Sequence, residues 1–229
     1  MRSIHFAAAL VWMCILSPSQ RERPNLTSSA ELLQQIQQLI QQGNLAGARS
    51  RLISALKEHP DEAGLYNLLG VVDAQQRLYL AAESDFKEAI EKDGRFSGAY
   101  LNLGHLYQEN ALADPAGLKK ALEIYRRLLE FAPSNDEANY QSALLLERGG
   151  SFRASLEHLS RLTFAEQEQA QVQSLRCADE VGLGERSQAD AVAARLLADP
   201  GLTEPDILSI LPTLETNQRD DVEVQFLEA

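Results

Sequence analysis

The chain has 229 residues, of which 45% are hydrophobic and 24% are charged, and this composition is typical of a folded protein rather than of a disordered one. Its formal net charge at pH 7 is -12. Affinity for nucleic acid depends on clustered lysine and arginine, so the charge argues against a nucleic-acid partner.

The first nineteen residues differ in character from those that follow. An apolar run of about eleven residues, Phe6 to Leu16, comes before Ser17-Pro18-Ser19. This is the layout of a secretory signal peptide. The run is shorter than the roughly twenty residues that a membrane span needs. We therefore expect residues 1–19 to be a signal peptide cleaved before Gln20, and a retained transmembrane anchor is the weaker alternative.

Such a signal indicates an exported protein, periplasmic or extracellular, and we favour a bacterial source. It predicts no stable membrane insertion after cleavage. Cys14 raises the alternative of a lipid anchor, but Trp12 and Met13 occupy positions where a lipoprotein signal has small residues. Lipidation at Cys14 is therefore disfavoured. Once Cys14 is removed, Cys177 is the one remaining cysteine, and no disulfide can form within the chain.

From about Ser29 the sequence predicts pairs of helices. In the first pair, apolar residues recur at helical spacing until Gly43-Asn44 breaks the helix, and a second helix runs from Leu45 to about Glu58. The second pair is closed by Gly94 and the third by Pro133. We expect the glutamine-rich part of the first helix to be its polar surface.

These pairs repeat about every thirty-four residues. A ladder of small residues has spacings of 34, 39, 34 and 34, a second ladder follows it four residues later, and a third precedes the turns: Ala48, Ala82, Ala121, Ser155 and Ala189; Leu52, Phe86, Tyr125, Leu159 and Ala193; Gly70, Gly104, Ala143 and Cys177. Three ladders in one register predict stacked helix pairs. We expect Cys177, on the third ladder, to be a packed core thiol.

The third pair contains five additional residues, and we expect Asn110 to Gly117 to form a longer loop. The fourth and fifth pairs follow the pattern less closely. Thr203-Glu204-Pro205-Asp206 then has the pattern of a helix start. The expected organisation is a leader over 20–28, a solenoid over 29–203, a capping helix over 204–218 and a tail over 219–229.

The stretches Tyr66-Asn67-Leu68-Leu69-Gly70 and Tyr100-Leu101-Asn102-Leu103-Gly104, followed by Tyr107, resemble the tetratricopeptide repeat pattern. The resemblance implies an all-α fold: a right-handed α-solenoid of stacked antiparallel helix hairpins, with about five repeats and a C-terminal capping helix. Glycine or alanine lets the helices of a hairpin approach closely, and the aromatic residues fill the space to the next layer.

No residue set in the sequence indicates catalysis, a cofactor or a metal. The four histidines, His5, His59, His105 and His158, are scattered, and none forms the i, i+4 pair of a helical zinc site. The sequence has no nucleophile elbow, phosphate-binding glycine loop or cysteine pair. We therefore predict a protein that is not an enzyme.

In tetratricopeptide repeat proteins the first helix of each pair lines the concave groove, so the resemblance implies a binding surface. Its members here are a mixture of apolar, aromatic and amide side chains: Leu33, Gln37, Asn67, Val71, Leu101, His105, Tyr140 and Leu144. Such a surface suits an extended peptide or a helix of a protein partner. For His105, an ordinary surface role is favoured over a ligand contact.

The main hypothesis is a non-enzymatic interaction scaffold that holds a protein partner in this groove. The alternative is a structural assembly factor of a secretion, pilus or outer-membrane complex, acting through its ends or convex face. A secreted enzyme or carrier with an unrecognised site ranks third. The sequence does not specify an oligomeric state.

Overall fold

In a computed structural model of the chain, residues 26–112, 114–199 and 201–217 are described, together with Arg219, Val222, Glu223 and Phe226. The expected signal peptide, leader before residue 26 and Cys14 lie outside these residues. Twelve helices occupy the described ranges: α1 Leu26–Gln41, α2 Leu45–Glu58, α3 Ala63–Gln75, α4 Tyr79–Lys92, α5 Ser97–Glu109, α6 Gly117–Phe131, α7 Asp136–Arg148, α8 Phe152–Leu159, α9 Phe164–Gln167, α10 Ala170–Gly182, α11 Arg186–Leu197 and α12 Glu204–Thr216.

The chain divides into two compact units, residues 1–124 and 125–229. In the first unit, α1 packs on α2, α2 on α3, α3 on α4 and α4 on α5. In the second unit, α7 packs on α8, and α10 packs on α8, α11 and α12. Neighbours along the sequence are thus neighbours in space, as expected for helix hairpins.

The three ladders form the interior of these hairpins. Every alanine or serine of the first ladder has no exposed surface, and the second ladder is at most 3% exposed. Cys177 is also fully buried, and burial raises the pKa of its thiol to about 12. The predicted core thiol is confirmed.

A close contact between α3 and α4 shows why the third ladder needs small residues. A Cβ atom added to Gly70 would lie 2.6 Å from Cε1 of Phe86, which is 2% exposed. In the second unit, a Cβ atom on Gly182 would lie 2.5 Å from Cε2 of Phe152. A glycine opposite an aromatic ring therefore sets the distance between the helices at both places.

The turns between paired helices use a left-handed residue. The backbone φ is 71° at Gly43, 62° at Arg77, 71° at Gly150 and 74° at Gly184. Glycine adopts this conformation without steric cost, whereas arginine does so rarely. Side chains cap some of the helices that follow these turns. At the start of α2, Asn44 Oδ1 accepts a hydrogen bond from the Gly47 amide at 3.0 Å.

The C-terminal helix α12 begins with a capping box, in which the Asp206 carboxylate accepts from the Thr203 amide at 3.0 Å. Its buried residues Ile210 and Leu214 join an apolar cluster with residues of α10 and α11, and Val222 and Phe226 belong to the same cluster. Helix α1 begins three residues before the expected Ser29.

Candidate partner-binding surfaces

The eight predicted groove residues all lie on the first helices of hairpins. Six belong to the first unit, on α1, α3 and α5, and two belong to the second unit, on α7: Leu33, Gln37, Asn67, Val71, Leu101, His105; Tyr140, Leu144. All are half-buried except Asn67, which is buried. The helix assignments agree with the expectation, and their role in binding stays a prediction.

In the first unit, an amide pair links the faces of adjacent hairpins. Asn102 Nδ2 on α5 donates to Asn67 Oδ1 on α3 at 2.8 Å. Asn67 is 8% exposed, so part of its polar capacity holds the two helices together. Asn102 is half-buried on α5 and was absent from the predicted set, because the repeat register aligns it with Leu68 rather than with Asn67.

A partly buried ion pair joins α2 and α3 in the first unit. Arg49 on α2 donates from Nε to Asp73 Oδ1 at 2.7 Å and from Nη2 to Oδ2 at 3.2 Å. Asp73 on α3 has no exposed surface. The pKa of Asp85 on α4 is raised to about 6, chiefly by burial and then by the negative charge of Asp73, while Arg49 opposes both. These acids therefore belong to helix packing.

An open cleft of about 430 Å³ lies beside the five-residue insertion. On its wall, Lys87 Nζ lies 2.6 Å from Glu83 Oε1, which also accepts from the Tyr107 hydroxyl at 2.9 Å. Lys120 Nζ lies 2.7 Å from Asp114 Oδ2 and 5.5 Å from the centre of the Tyr107 ring. The lysines and acids named here pair with each other, so their charges are largely compensated within the chain.

In the second unit, α12 packs on α10, the first helix of the last hairpin. Tyr140 and Leu144 pack against the apolar cluster of α7, α8 and α10. The pKa of Tyr140 is raised to about 12, chiefly by burial and then by the negative charges of Glu137 and of Asp206 on α12. Thr213 of α12 donates to Glu147 Oε1 of α7 at 3.0 Å. Tyr140 and Glu147 of α7 therefore both interact with residues of α12.

A carboxyl group stands at an apolar position of α10. Asp179 has no exposed surface and occupies the register of the buried Val72, Leu106 and Leu145. Ser155, which lies beside Asp179, is the one polar member of the first ladder, whose other members are alanines. The pKa of Asp179 is raised to about 8, chiefly by burial and in smaller part by the charges of Glu147 and Glu180, while the Ser155 hydroxyl opposes the increase.

The described residues contain no cluster of three or more histidine, cysteine, aspartate or glutamate side chains that could hold a metal ion. His158 Nδ1 lies 3.0 Å from Asn139 Oδ1, and burial lowers the pKa of His158. This histidine is occupied in packing α8 on α7. Over the same residues, no helix is both long and apolar enough to cross a membrane.

No family model matches the chain. Among curated proteins it is similar to the uncharacterized protein ycf37 of Porphyra purpurea, with 32% identity over 90 residues, which are 38% of this chain and 49% of that protein. The chain thus matches only about half the length of this relative.

Solved structures of tetratricopeptide repeat proteins are similar over most of the chain. One from Parabacteroides merdae is 17% identical and has a TM-score of 0.71, covering 88% of this chain and 78% of the other. YrrB, described as having an unusual peptide-binding site, is 17% identical and has a TM-score of 0.58, covering 86% of this chain and 98% of YrrB. PilW, described as a type IV pilus biogenesis factor, is 14% identical and has a TM-score of 0.63, covering 87% of this chain and 90% of PilW.

These similarities, together with the helix hairpins, confirm the predicted fold class, an all-α solenoid of the tetratricopeptide repeat type.

Proposed function

We propose that the protein is a non-enzymatic scaffold that binds an extended peptide or helix of a partner protein on the face of α1, α3 and α5. The observation that supports the proposal is the partial exposure of this face in the first unit. Val71, Leu101 and His105 are half-buried there, and the described chain supplies no helix comparable to α12 over them. Partly exposed apolar residues beside amides suit peptide binding.

The peptide-binding site attributed to YrrB supports this function as a use of the same fold. We further propose that the protein is exported to the periplasm or the exterior of a bacterial cell, because residues 1–19 have the pattern of a cleaved signal. Intact mass measurement of the protein from its own cells tests the export: a chain that begins near Gln20 supports it, and one that begins at Met1 contradicts it.

The face is tested with a photo-crosslinking residue at Leu101 and, as the matched control, at Leu80. Leu80 is 86% exposed and lies on α4, the second helix of its hairpin. We expect position 101 to trap a protein partner that position 80 does not trap. The affinity of the trapped partner should then fall at least tenfold in Val71→Glu/Leu101→Glu, a loss of at least about 1.4 kcal/mol, whereas Leu80→Glu should bind normally.

The alternative is an assembly factor of an envelope complex that acts through another face. Two exposed leucines support it: Leu80 on α4 is 86% exposed, and Leu112 at the insertion is 102% exposed. The fold similarity to PilW is the second support. This alternative predicts the opposite result, in which crosslinks form at position 80 and Leu80→Glu/Leu112→Glu abolishes binding. That outcome would reject the face of α1, α3 and α5.

A further inference from the structure

Helix α12 has the residue pattern of a helical ligand. Its residues at i, i+3, i+4 and i+7 face the protein: Ile210 and Leu214 are fully buried, and Ile207 and Leu211 are partly buried against the same cluster. Leu208, on the opposite side, is 55% exposed. This is the anchor spacing by which an amphipathic helix binds in a groove.

The position of α12 differs from that of a further repeat. In the first unit, a new hairpin starts by packing on the preceding second helix, as α3 does on α2 and α5 on α4. Helix α12 instead packs principally along α10, the first helix of the preceding hairpin. The first helices carry the predicted groove positions, so α12 lies on the groove side of the second unit.

The burial of α10 agrees with this placement. Ala178 is 1% exposed and Val181 is 3% exposed, and both belong to the apolar cluster of Ile210 and Leu214. In the repeat register, Ala178 corresponds to Val71 and to His105, which are half-buried in the first unit. The α10 positions that correspond to an open surface in the first unit are therefore closed.

Two interactions extend this contact to α7. Thr213 donates to Glu147 at 3.0 Å, and the charge of Asp206 acts on Tyr140. The two α12 residues are seven apart, and the two α7 residues are also seven apart, so the two interactions follow the same order along both helices. Among the described residues, the Glu147 carboxylate accepts a side-chain hydrogen bond from the Thr213 hydroxyl.

We propose that α12 is a built-in occupant of the groove of the second unit, and that an amphipathic partner helix with lysine or arginine at the place of Thr213 displaces it. A cation would replace this hydroxyl-to-carboxylate hydrogen bond by an ion pair, in which both the donor and the acceptor are charged.

Helix α12 is also poorly suited to hold this position against a competitor. Pro212 lies inside the helix and has no amide hydrogen for the Leu208 carbonyl. A proline in a helix interior costs about 3 kcal/mol relative to alanine. A partner helix without this proline binds the same anchor positions without that cost.

The inference goes beyond the proposed function, because it concerns the second unit and stands if the first unit binds nothing. A labelled peptide of residues 201–217 is titrated into the full chain and into the variant Ile210→Asp/Leu214→Asp, in which the internal helix is released. The tethered helix competes at a millimolar effective concentration. We expect the peptide to bind the released variant at least tenfold more tightly than the wild type, and Leu208→Asp to behave as the wild type.

The cation is tested with the same peptide carrying Thr213→Lys. It should bind the released variant about tenfold more tightly than the unmodified peptide, and this gain should vanish when the protein carries Glu147→Gln. Equal binding of both peptides would reject the cationic partner.

Hydrogen exchange on the wild-type chain provides a measurement that does not depend on the folding of the released variant. Addition of the lysine peptide should accelerate exchange in α12 while α10 stays protected. Unchanged exchange in α12 at saturating peptide would overturn the displacement. A wild-type dimer that dissociates in Ile210→Asp/Leu214→Asp would show that α12 fills the groove of a second copy, and this result would overturn the assignment within one chain.

Discussion

At the scale of single residues, the most unusual position is Asp179. Buried carboxyl groups need partners, because the charged form loses its hydration on burial. Neither carboxylate oxygen of Asp179 has a well-aligned hydrogen bond within the described chain. The equivalent positions Val72, Leu106 and Leu145 are apolar, so the polar residue here is costly for stability and confined to one hairpin interface.

We predict that Asp179→Asn removes a pH-dependent loss of stability. The carboxyl group ionises near its ordinary pKa of 3.8 in the unfolded chain and near 8 in the folded chain. Between these values the folded state binds more protons, so the free energy of unfolding falls as the pH rises. At 1.36 kcal/mol per pKa unit, the full effect above pH 8 is on the order of 5 kcal/mol.

Urea unfolding from pH 4 to pH 9 measures this difference. The variant should resemble the wild type near pH 4 and exceed its stability near pH 8. Asp61→Asn, at a position whose side chain is 87% exposed, is the control and should leave the pH dependence unchanged. A constant offset between Asp179→Asn and the wild type at all pH values would contradict an ionisable group at this site.

At the scale of the helices, stability depends on small residues that face large ones. Gly64 and Gly70 both lie in α3, and only Gly70 faces an aromatic ring. Gly64 has ordinary space for a Cβ atom, which would lie 3.8 Å from Glu62 Oε1. This pair separates the effect of helix propensity from the effect of interhelical distance.

We predict that Gly70→Ala destabilises the first unit by about 1–3 kcal/mol, because the methyl group overlaps the Phe86 ring. Gly64→Ala should be neutral or stabilising by up to about 1 kcal/mol, since alanine favours the helix. Thermal unfolding of the two variants measures both effects. Phe86→Leu should recover part of the loss in Gly70→Ala, and equal effects of the two alanines would contradict the proposed packing.

At the scale of the whole molecule, each unit carries an acid whose pKa is raised by burial, and the two pKa values differ. Asp85 in the first unit has a pKa of about 6, and Asp179 in the second unit has a pKa of about 8. Both folded-state values are raised, so each acid lowers stability as the pH rises from 3.8 to its own pKa. Above pH 6.5 the loss from Asp85 is nearly complete, whereas that from Asp179 continues.

We therefore expect a change from pH 6.5 to pH 8.5 to reduce the hydrogen-exchange protection of α10 while α3 and α4 keep theirs. Mass spectrometry of exchanged peptides, corrected for the intrinsic rate at each pH, measures the effect. Asp179→Asn should keep α10 protected. An equal decrease in α3 and α10 would show that the chain opens as one cooperative body rather than by units.

Much of the fold could be predicted because its causes are periodic. Ala48, Ala82 and Ala121 recur at the points of closest packing, and the register alone predicts their burial. The same register could have identified Asp179 as a buried acid, since it aligns with Val72. The Asn102–Asn67 hydrogen bond was not predictable in this way, because the two residues occupy different positions of the repeat.

The position of α12 could be predicted only in part. Ile207, Ile210 and Leu214 show that α12 has an apolar face, but this periodicity is the same for a helix that ends a stack and for one that covers a groove. The choice depends on contacts between distant residues, such as Thr213 with Glu147, and no local pattern encodes them.

The turn of each hairpin is where the chain can change length without disturbing the ladders. The turns at Gly43, Arg77, Gly150 and Gly184 use left-handed conformations and have three residues between the helices, while the third hairpin has seven residues between α5 and α6. The cost of closing a loop grows slowly with its length. A short epitope or reporter sequence inserted at Gly150 should thus leave the buried ladders in register, whereas the same insertion inside α10 would shift Cys177 and Asp179 away from their partners.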